Sequence, residues 1–304
     1  MSECAVSIKG LIKRYGSITA IKEIDLDIKR GEVFGLLGPN GAGKTTTLEC
    51  LEGIRKFDGG SLRVAECDPR ASGGSLRRKL GIQLQSSSLP DNIRVDEALQ
   101  LVCAFSRVPV QQELITKFGI RPLLKKQYKE LSTGQKRRLH LVLALINKPE
   151  VLILDEPTAG LDVQSRAQLH DEIREIQSQG VTILLATHDM SEAETLCDRI
   201  AIIINGKIAV SGTPEQITAA SNKKNRILLR TAKNSLGPGK SINGALFVKE
   251  KDGYLEWNCS NVADSVFAIL RQVLELNDTV EDLRVERPSL EERFLELVEG
   301  ADEK

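Results

Sequence analysis

The sequence predicts an α/β fold with a mostly parallel core sheet, on three observations. The apolar residues 33–37 lead into Gly38-Pro39-Asn40-Gly41-Ala42-Gly43-Lys44-Thr45 and then Thr46-Thr47-Leu48-Glu49-Cys50-Leu51, which is a strand, a glycine-rich turn and a helix in that order. Val151-Leu152-Ile153-Leu154 and Val181-Thr182-Ile183-Leu184-Leu185-Ala186 are continuous apolar runs, the pattern of parallel strands covered on both faces. Between them, Leu169, Ile173 and Ile176 give a helix its buried stripe.

Each remaining element follows from its local pattern. Ile24-Asp25-Leu26-Asp27-Ile28-Lys29 alternates strictly, as does Val6-Ser7-Ile8-Lys9, so the first thirty residues form antiparallel strands with one wet face. Gly59-Gly60 marks a turn before a short strand over 61–64, and Ala71-Ser72-Gly73-Gly74 reads as a loop. Residues 91–148 turn helical: Asp96 is placed as the cap of the helix beginning at Glu97, and Leu139, Val142, Leu143, Leu145 and Ile146 form an apolar face that stops at Asn147-Lys148-Pro149. Ser191 with Glu194 predicts a capping box, and Asn205-Gly206 between two apolar runs predicts a hairpin. Beyond Ser211-Gly212-Thr213-Pro214 the pattern changes to a linker helix, a strand over 226–229, and a hairpin across Lys251-Asp252-Gly253. A helix with Val266, Ile269, Leu270 and Val273 inward follows, then a strand over 280–285 and a helix over 289–298. The expected organisation is a domain over 1–215, with a helical part at about 88–148, and a small C-terminal α+β domain over 222–304.

Bulk properties exclude several classes. A chain of 304 residues with zero formal net charge and 28% charged residues gives no footprint for nucleic acid. No apolar run approaches the length of a membrane span, and Met1-Ser2-Glu3-Cys4 lacks the pattern of an export signal. The six cysteines are scattered without C-x-x-C spacing and the three histidines do not cluster, which reads as reduced thiols and no structural zinc.

Three stretches carry chemistry. Residues 38–45 match G-x-x-x-x-G-K-[ST], whose glycines let backbone N–H groups turn inward around a polyphosphate. In that pattern Lys44 reaches the β- and γ-phosphates and the Thr45 hydroxyl ligates Mg²⁺, so the chain is expected to bind a nucleoside triphosphate. Leu154-Asp155-Glu156-Pro157 ends a buried strand in two adjacent carboxylates, at the sheet edge where nucleotide sites lie. Asp155 is the natural Mg²⁺ partner, and Glu156 is placed to polarise a water attacking the γ-phosphate. Leu131-Ser132-Thr133-Gly134-Gln135 opens a basic helix. It is either a second anion-binding helix end capped by Ser132, or a plain capped helix with Lys136-Arg137-Arg138 on its solvated face.

These motifs in this order, with Thr158-Ala159-Gly160-Leu161-Asp162 and Thr187-His188-Asp189, resemble an ATP-binding cassette subunit over about residues 3–215. The resemblance implies a phosphate-loop ATPase cassette with an N-terminal antiparallel part and a helical part. It implies ATP and Mg²⁺ as ligands, with two ATP held between two head-to-tail cassettes. In it Ser132, Gly134 and Gln135 belong to the signature that caps the γ-phosphate of the other cassette; Thr133 departs from the usual glycine. Tyr15 matches the aromatic that stacks on adenine and His188 the switch histidine, and Thr46 is counted with residues 38–45 among the nucleotide-binding residues. Asp162 matches the aspartate through which cassettes communicate, and Gln85 the glutamine sensing Mg²⁺ and water. Gln83 lies on the same strand face, and Gln85 is preferred because Ser86-Ser87-Ser88 begins a loop there.

Arg287-Pro288-Ser289-Leu290-Glu291-Glu292-Arg293-Phe294-Leu295-Glu296-Leu297 is similar to the ending of cassettes that drive drug, antibiotic or lipid exporters. The expected partners are a second cassette and an integral permease, which the 85–96 stretch would touch, with the chain peripheral on the cytoplasmic face of the membrane. The alternative is a soluble cassette ATPase acting on ribosomes or DNA.

Overall fold

The computed structural model describes residues 3–71, 73–85, 88–221, 224–237, 239, 241–242 and 244–302. They form two compact units, Met1–Pro214 and Glu215–Lys304.

The first unit opens with β1 (Cys4–Tyr15) and β2 (Ile18–Lys29), which pair antiparallel. The alternation has the expected cause: Ile24, Leu26 and Ile28 are buried while Asp25 and Asp27 face water. Next come β3 (Val33–Leu37), buried throughout, α1 (Lys44–Leu51) and β4 (Gly59–Val64), which pairs with β1. Together β2-β1-β4 make a three-stranded sheet. The expected loop at 71–74 is corrected in part: Gly73 already begins α2 (Gly73–Lys79). Its buried Leu76 and the basic last turn, which complements the helix dipole, outweigh the two poor helix formers at its start. Ser72, Ser86 and Ser87 lie outside the described residues.

After β5 (Leu80–Gln83) the chain turns helical, with α3 (Val95–Ser106), α4 (Gln112–Lys117) and α5 (Thr133–Leu145). Asp96 is not the cap of α3. The helix starts two residues earlier than expected, at Val95, Glu97 accepts the Arg94 N–H at 2.9 Å, and Asp96 instead binds Arg94 and Lys125. The core closes with β6 (Val151–Asp155), α6 (Val163–Ser178), β7 (Thr182–Thr187), α7 (Met190–Leu196), β8 (Arg199–Ile204) and β9 (Lys207–Gly212). The sheet order is β5-β6-β7-β3-β8-β9, parallel except for β9. Asn205 and Gly206, at φ 50° and 79°, make the two-residue turn that the hairpin needs. Every residue of β6 and β7 is buried, and each large aliphatic side chain there contributes roughly 1.5–3 kcal/mol.

The expected capping box on α7 is also overturned. Asp189 caps the helix, its carboxylate accepting the Ser191 and Glu192 N–H groups at 3.0 and 3.1 Å. A carboxylate at that position outcompetes the Ser191 hydroxyl, which itself donates to Asp189.

The second unit takes up α8 (Pro214–Ala219) from Glu215 onward and continues with β10 (Asn225–Thr231), β11 (Ala245–Lys251), β12 (Tyr254–Cys259), α9 (Val262–Glu275), β13 (Val280–Glu286) and α10 (Leu290–Asp302). The strands pair antiparallel in the order β11-β12-β10-β13. Ile269 and Val273 of α9 pack on Ile227, Leu229, Leu255 and the fully buried Trp257. Ser289 and Glu292 exchange N–H bonds at 3.1 and 3.2 Å and so cap α10. Among the described residues no helix is long and apolar enough to cross a membrane.

Candidate functional site

β3 delivers the chain into the glycine-rich turn at the C-terminal edge of the parallel sheet. Gly38 has no room for a side chain, since a Cβ there would lie 2.3 Å from the Ile203 carbonyl oxygen. Gly43 caps α1 at φ 111°, a conformation that glycine alone adopts without strain. The turn therefore ends on the free N–H groups and positive dipole of a helix N-terminus. Thr47 anchors that end, its hydroxyl donating to the Gly43 carbonyl at 2.8 Å. Asn40, Gly41 and Thr45 are exposed, Pro39 and Thr46 half-buried, and Ala42 buried.

Lys44 is buried and folded back on the loop, donating to the Gly38 carbonyl at 2.6 Å and the Pro39 carbonyl at 3.3 Å. Burial lowers its pKa, against the upward pull of the Glu156 and Asp155 charges. Those carboxylates close β6, which is separated from β3 by β7 alone. Asp155 is 5% exposed, and burial, then the Glu156 charge, pushes its carboxyl above the ordinary value. Two acids and one buried lysine thus share one sheet edge, an arrangement suited to a polyanion that brings its own cation.

Glu156 sits at φ 49°, a backbone state uncommon for a residue with a side chain. Its N–H donates to the Ala186 carbonyl at 2.9 Å. Its buried Oε1 lies 2.8 Å from Nδ1 of His188, which follows β7 and is exposed. The phosphate loop, Lys44, Asp155, Glu156 and His188 are therefore gathered at one edge.

The other expected residues stand around that edge. Gln85 is exposed two residues beyond β5, and its carbonyl accepts from Arg137 at 3.1 Å. Gln83 is 1% exposed, and both its amide atoms lack hydrogen-bond partners among the described residues. Ser132 caps α5, its hydroxyl accepting the Gln135 N–H at 3.2 Å while the Gln135 side chain accepts the Ser132 N–H at 3.1 Å. Gly134 lies against α6, where an added Cβ would meet Ser165 Oγ at 3.0 Å. Asp162 caps α6, and the N–H and hydroxyl of Ser165, both at 2.8 Å, hold its carboxyl below the usual range. Tyr15 ends β1 with its ring centroid 5.2 Å from the Arg55 guanidinium and 5.3 Å from the Lys13 ammonium.

The reading of Lys136-Arg137-Arg138 as a solvated face is corrected. Arg138 pairs with Glu172 at 3.1 Å, and Lys136 lies over the Tyr128 ring. Burial lowers the Arg137 pKa, against the upward electrostatic pull of Tyr128, Asp155 and Glu156. Arg137, which reaches Gln85 and faces the carboxylates, is a site residue that a run of three similar cations hides in the sequence. A second is Glu52 at the end of α1: burial, then Asp155 and Glu49, push its carboxyl up to about 7.

A curated relative covers nearly the whole chain. The daunorubicin resistance ATP-binding protein DrrA3 of Streptomyces coeruleorubidus is 31% identical over 98% of this chain and 96% of its own length. This chain belongs to the ATP-binding cassette transporter family. The family profile described as ABC transporter matches residues 21–159, and one described as AAA domain, putative AbiEii toxin, Type IV TA system matches 125–194. The Nod factor export ATP-binding protein I of Ralstonia nicotianae (strain ATCC BAA-1114 / GMI1000) is 38% identical over 70% of this chain and 68% of that protein. Among solved structures, cbiO1 from Clostridium perfringens, part of the ABC transporter complex cbiONQ, superposes with a TM-score of 0.66 at 31% identity. That match covers 72% of this chain and 92% of cbiO1. The ABC chain is accordingly an ATP-binding ATPase coupled to transport, with the phosphate loop and the Asp155–Glu156 edge inside the matched cassette.

Proposed function

We propose that this ABC chain powers export of a drug, antibiotic or lipid through a separate integral permease, held peripherally at the cytoplasmic face of the membrane. The observation that carries the reading is the Glu156–His188 contact beside the phosphate loop, joined by relatives named for drug resistance and for export. The motif over 287–297 supports the same branch, and in this reading 1–215 is the ATP-binding domain and 222–304 an accessory domain.

The chemistry is in-line transfer of the γ-phosphoryl group to water. Residues 38–46 wrap the phosphates, all but Pro39 with a backbone N–H to offer, and the Tyr15 ring stacks on adenine. Lys44 exchanges the Gly38 and Pro39 carbonyls for phosphate oxygens, so its charge is free to act only when nucleotide is present. Glu156 takes a proton from the attacking water as the new P–O bond forms and the β–γ bridging bond breaks, releasing ADP and phosphate. His188 donates a hydrogen bond to the γ-phosphoryl oxygens, where charge accumulates.

The Thr45 hydroxyl, the Gln85 amide oxygen and the Asp155 carboxylate are hard oxygen donors of the kind Mg²⁺ takes. The crowding that raises the Asp155 pKa fits a nearby divalent cation. When bound, Mg²⁺ neutralises the β- and γ-phosphate oxygens. Ser132, Gly134 and Gln135 cap the γ-phosphate held by a second copy, and Asp162 senses that copy across the interface. Reconstitution with the permease in vesicles tests the reading: ATP-dependent efflux of substrate supports it, and hydrolysis that no permease alters counts against it.

A further inference from the structure

α6 and α7 meet along a polar ladder that the proposed chemistry does not use. Arg166, His170 and Arg174, spaced by four, share one face of α6, and Asp189, Glu192 and Thr195, spaced by three, face them. Arg166 Nη1 donates to Asp189 Oδ2 at 2.9 Å, His170 Nε2 lies 3.7 Å from Glu192 Oε1, and Arg174 donates to the Thr195 carbonyl. The Glu192 side chain is fully buried, and neither of its oxygens, nor Arg166 Nε, nor His170 Nε2, has a hydrogen-bond partner among the described residues. Two helices that needed only to cohere would do so more cheaply through apolar contacts. The middle rung, longer than a hydrogen bond, has room to close if the helices slide.

The ends of the ladder explain its place. α6 is capped by Asp162, and α7 is capped by Asp189, the residue after His188. One Asp189 oxygen accepts the Ser191 and Glu192 N–H groups and the Ser191 hydroxyl, while the other is held by Arg166. The backbone carrying His188 is thereby fastened to α6.

We propose that Arg166, backed by the His170–Glu192 rung, is a positioning residue that transmits movement of the Asp162 end of α6 to His188 and so sets the Glu156–His188 geometry for hydrolysis. The proposal rests on the hydrolytic role of His188 given above. Engagement of Asp162 by a second copy would then reach the γ-phosphate of the same chain through a single ion pair.

Steady-state hydrolysis and calorimetric ATP affinity of the full chain test it. Arg166→Met is expected to lower kcat about tenfold with the Kd for ATP unchanged, and Arg166→Lys to restore most of the loss. Arg174→Met, on the rung farthest from His188, is expected to leave kcat within about twofold. Asp189→Asn keeps a capping oxygen and removes the charge that Arg166 binds, so it reads the same contact if Arg166→Met does not fold. A wild-type kcat in the folded Arg166→Met or in Asp189→Asn, with His188→Ala inactive, would overturn the coupling and leave the role of His188 standing. Normal turnover by His188→Ala would overturn that role itself. Losses in kcat that follow thermal destabilisation equally at Arg166 and Arg174 would reduce the ladder to packing and end the proposal.

Discussion

Oε1 of Glu156 and Nδ1 of His188 lie 2.8 Å apart, joining the end of β6 to the end of β7. The pair holds the carboxylate in place despite a positive φ at Glu156, a state costing on the order of 1–3 kcal/mol. In the proposed mechanism the histidine leaves the carboxylate for the γ-phosphoryl group, freeing Glu156 to face water.

Glu156→Gln keeps the shape and the neighbouring amide bond but removes the proton acceptor. ATP binding is expected to persist and an ATP-held dimer to accumulate, while turnover falls at least about a hundredfold. Phosphate release and size-exclusion chromatography with ATP read the two effects, and unchanged hydrolysis would remove Glu156 from its role.

Lys44 pulls binding and stability in opposite directions. Its ammonium is buried and its pKa lowered by that burial, so the charge is a cost to the free chain below its folded pKa and a gain once phosphates arrive. Lys44→Met is expected to raise or preserve the melting temperature without nucleotide and to abolish the rise that ATP produces. Thermal melts with and without ATP check this.

Glu52 gives a pH dependence. Its folded pKa of about 7 stands above the ordinary 4.5, so the folded state binds the proton more tightly than the unfolded one. Stability from this group is full below 4.5 and is lost as pH rises through about 7. Glu52→Gln is expected to leave the melting temperature nearly unchanged at pH 5 and to raise it at pH 8, with an upper bound of about 3 kcal/mol. An equal effect at both pH values would contradict this reading.

Ser132→Arg places a long cation at the exposed cap of α5. ATP binding by the single chain is expected to survive and ATP-driven dimerisation to fail. A normal dimer in ultracentrifugation would count against the action of Ser132 on a second copy.

The phosphate loop and the strands that frame it were legible because both signals are local: a glycine-rich turn between an apolar strand and a helix, and runs such as 151–154 buried on both faces. The caps were less so. Ser191 with Glu194 has the capping-box spacing, yet Asp189 prevails because the strand ends at Thr187 and leaves the carboxylate first in line. Arg137 looks the same as Lys136 and Arg138 in the sequence. Only the packing of α5 beside β5 brings it to Gln85 and the carboxylates. The Arg166–Asp189 pair joins residues 23 apart on different helices, a relation that no periodicity within one helix displays.

Titration of the purified chain with ATP in the presence of Mg²⁺, followed by calorimetry and phosphate release, tests the central claim most directly. The account predicts saturable binding that Lys44→Met abolishes, with hydrolysis that Glu156→Gln stops. A chain that shows no affinity for adenine nucleotides under those conditions would contradict it.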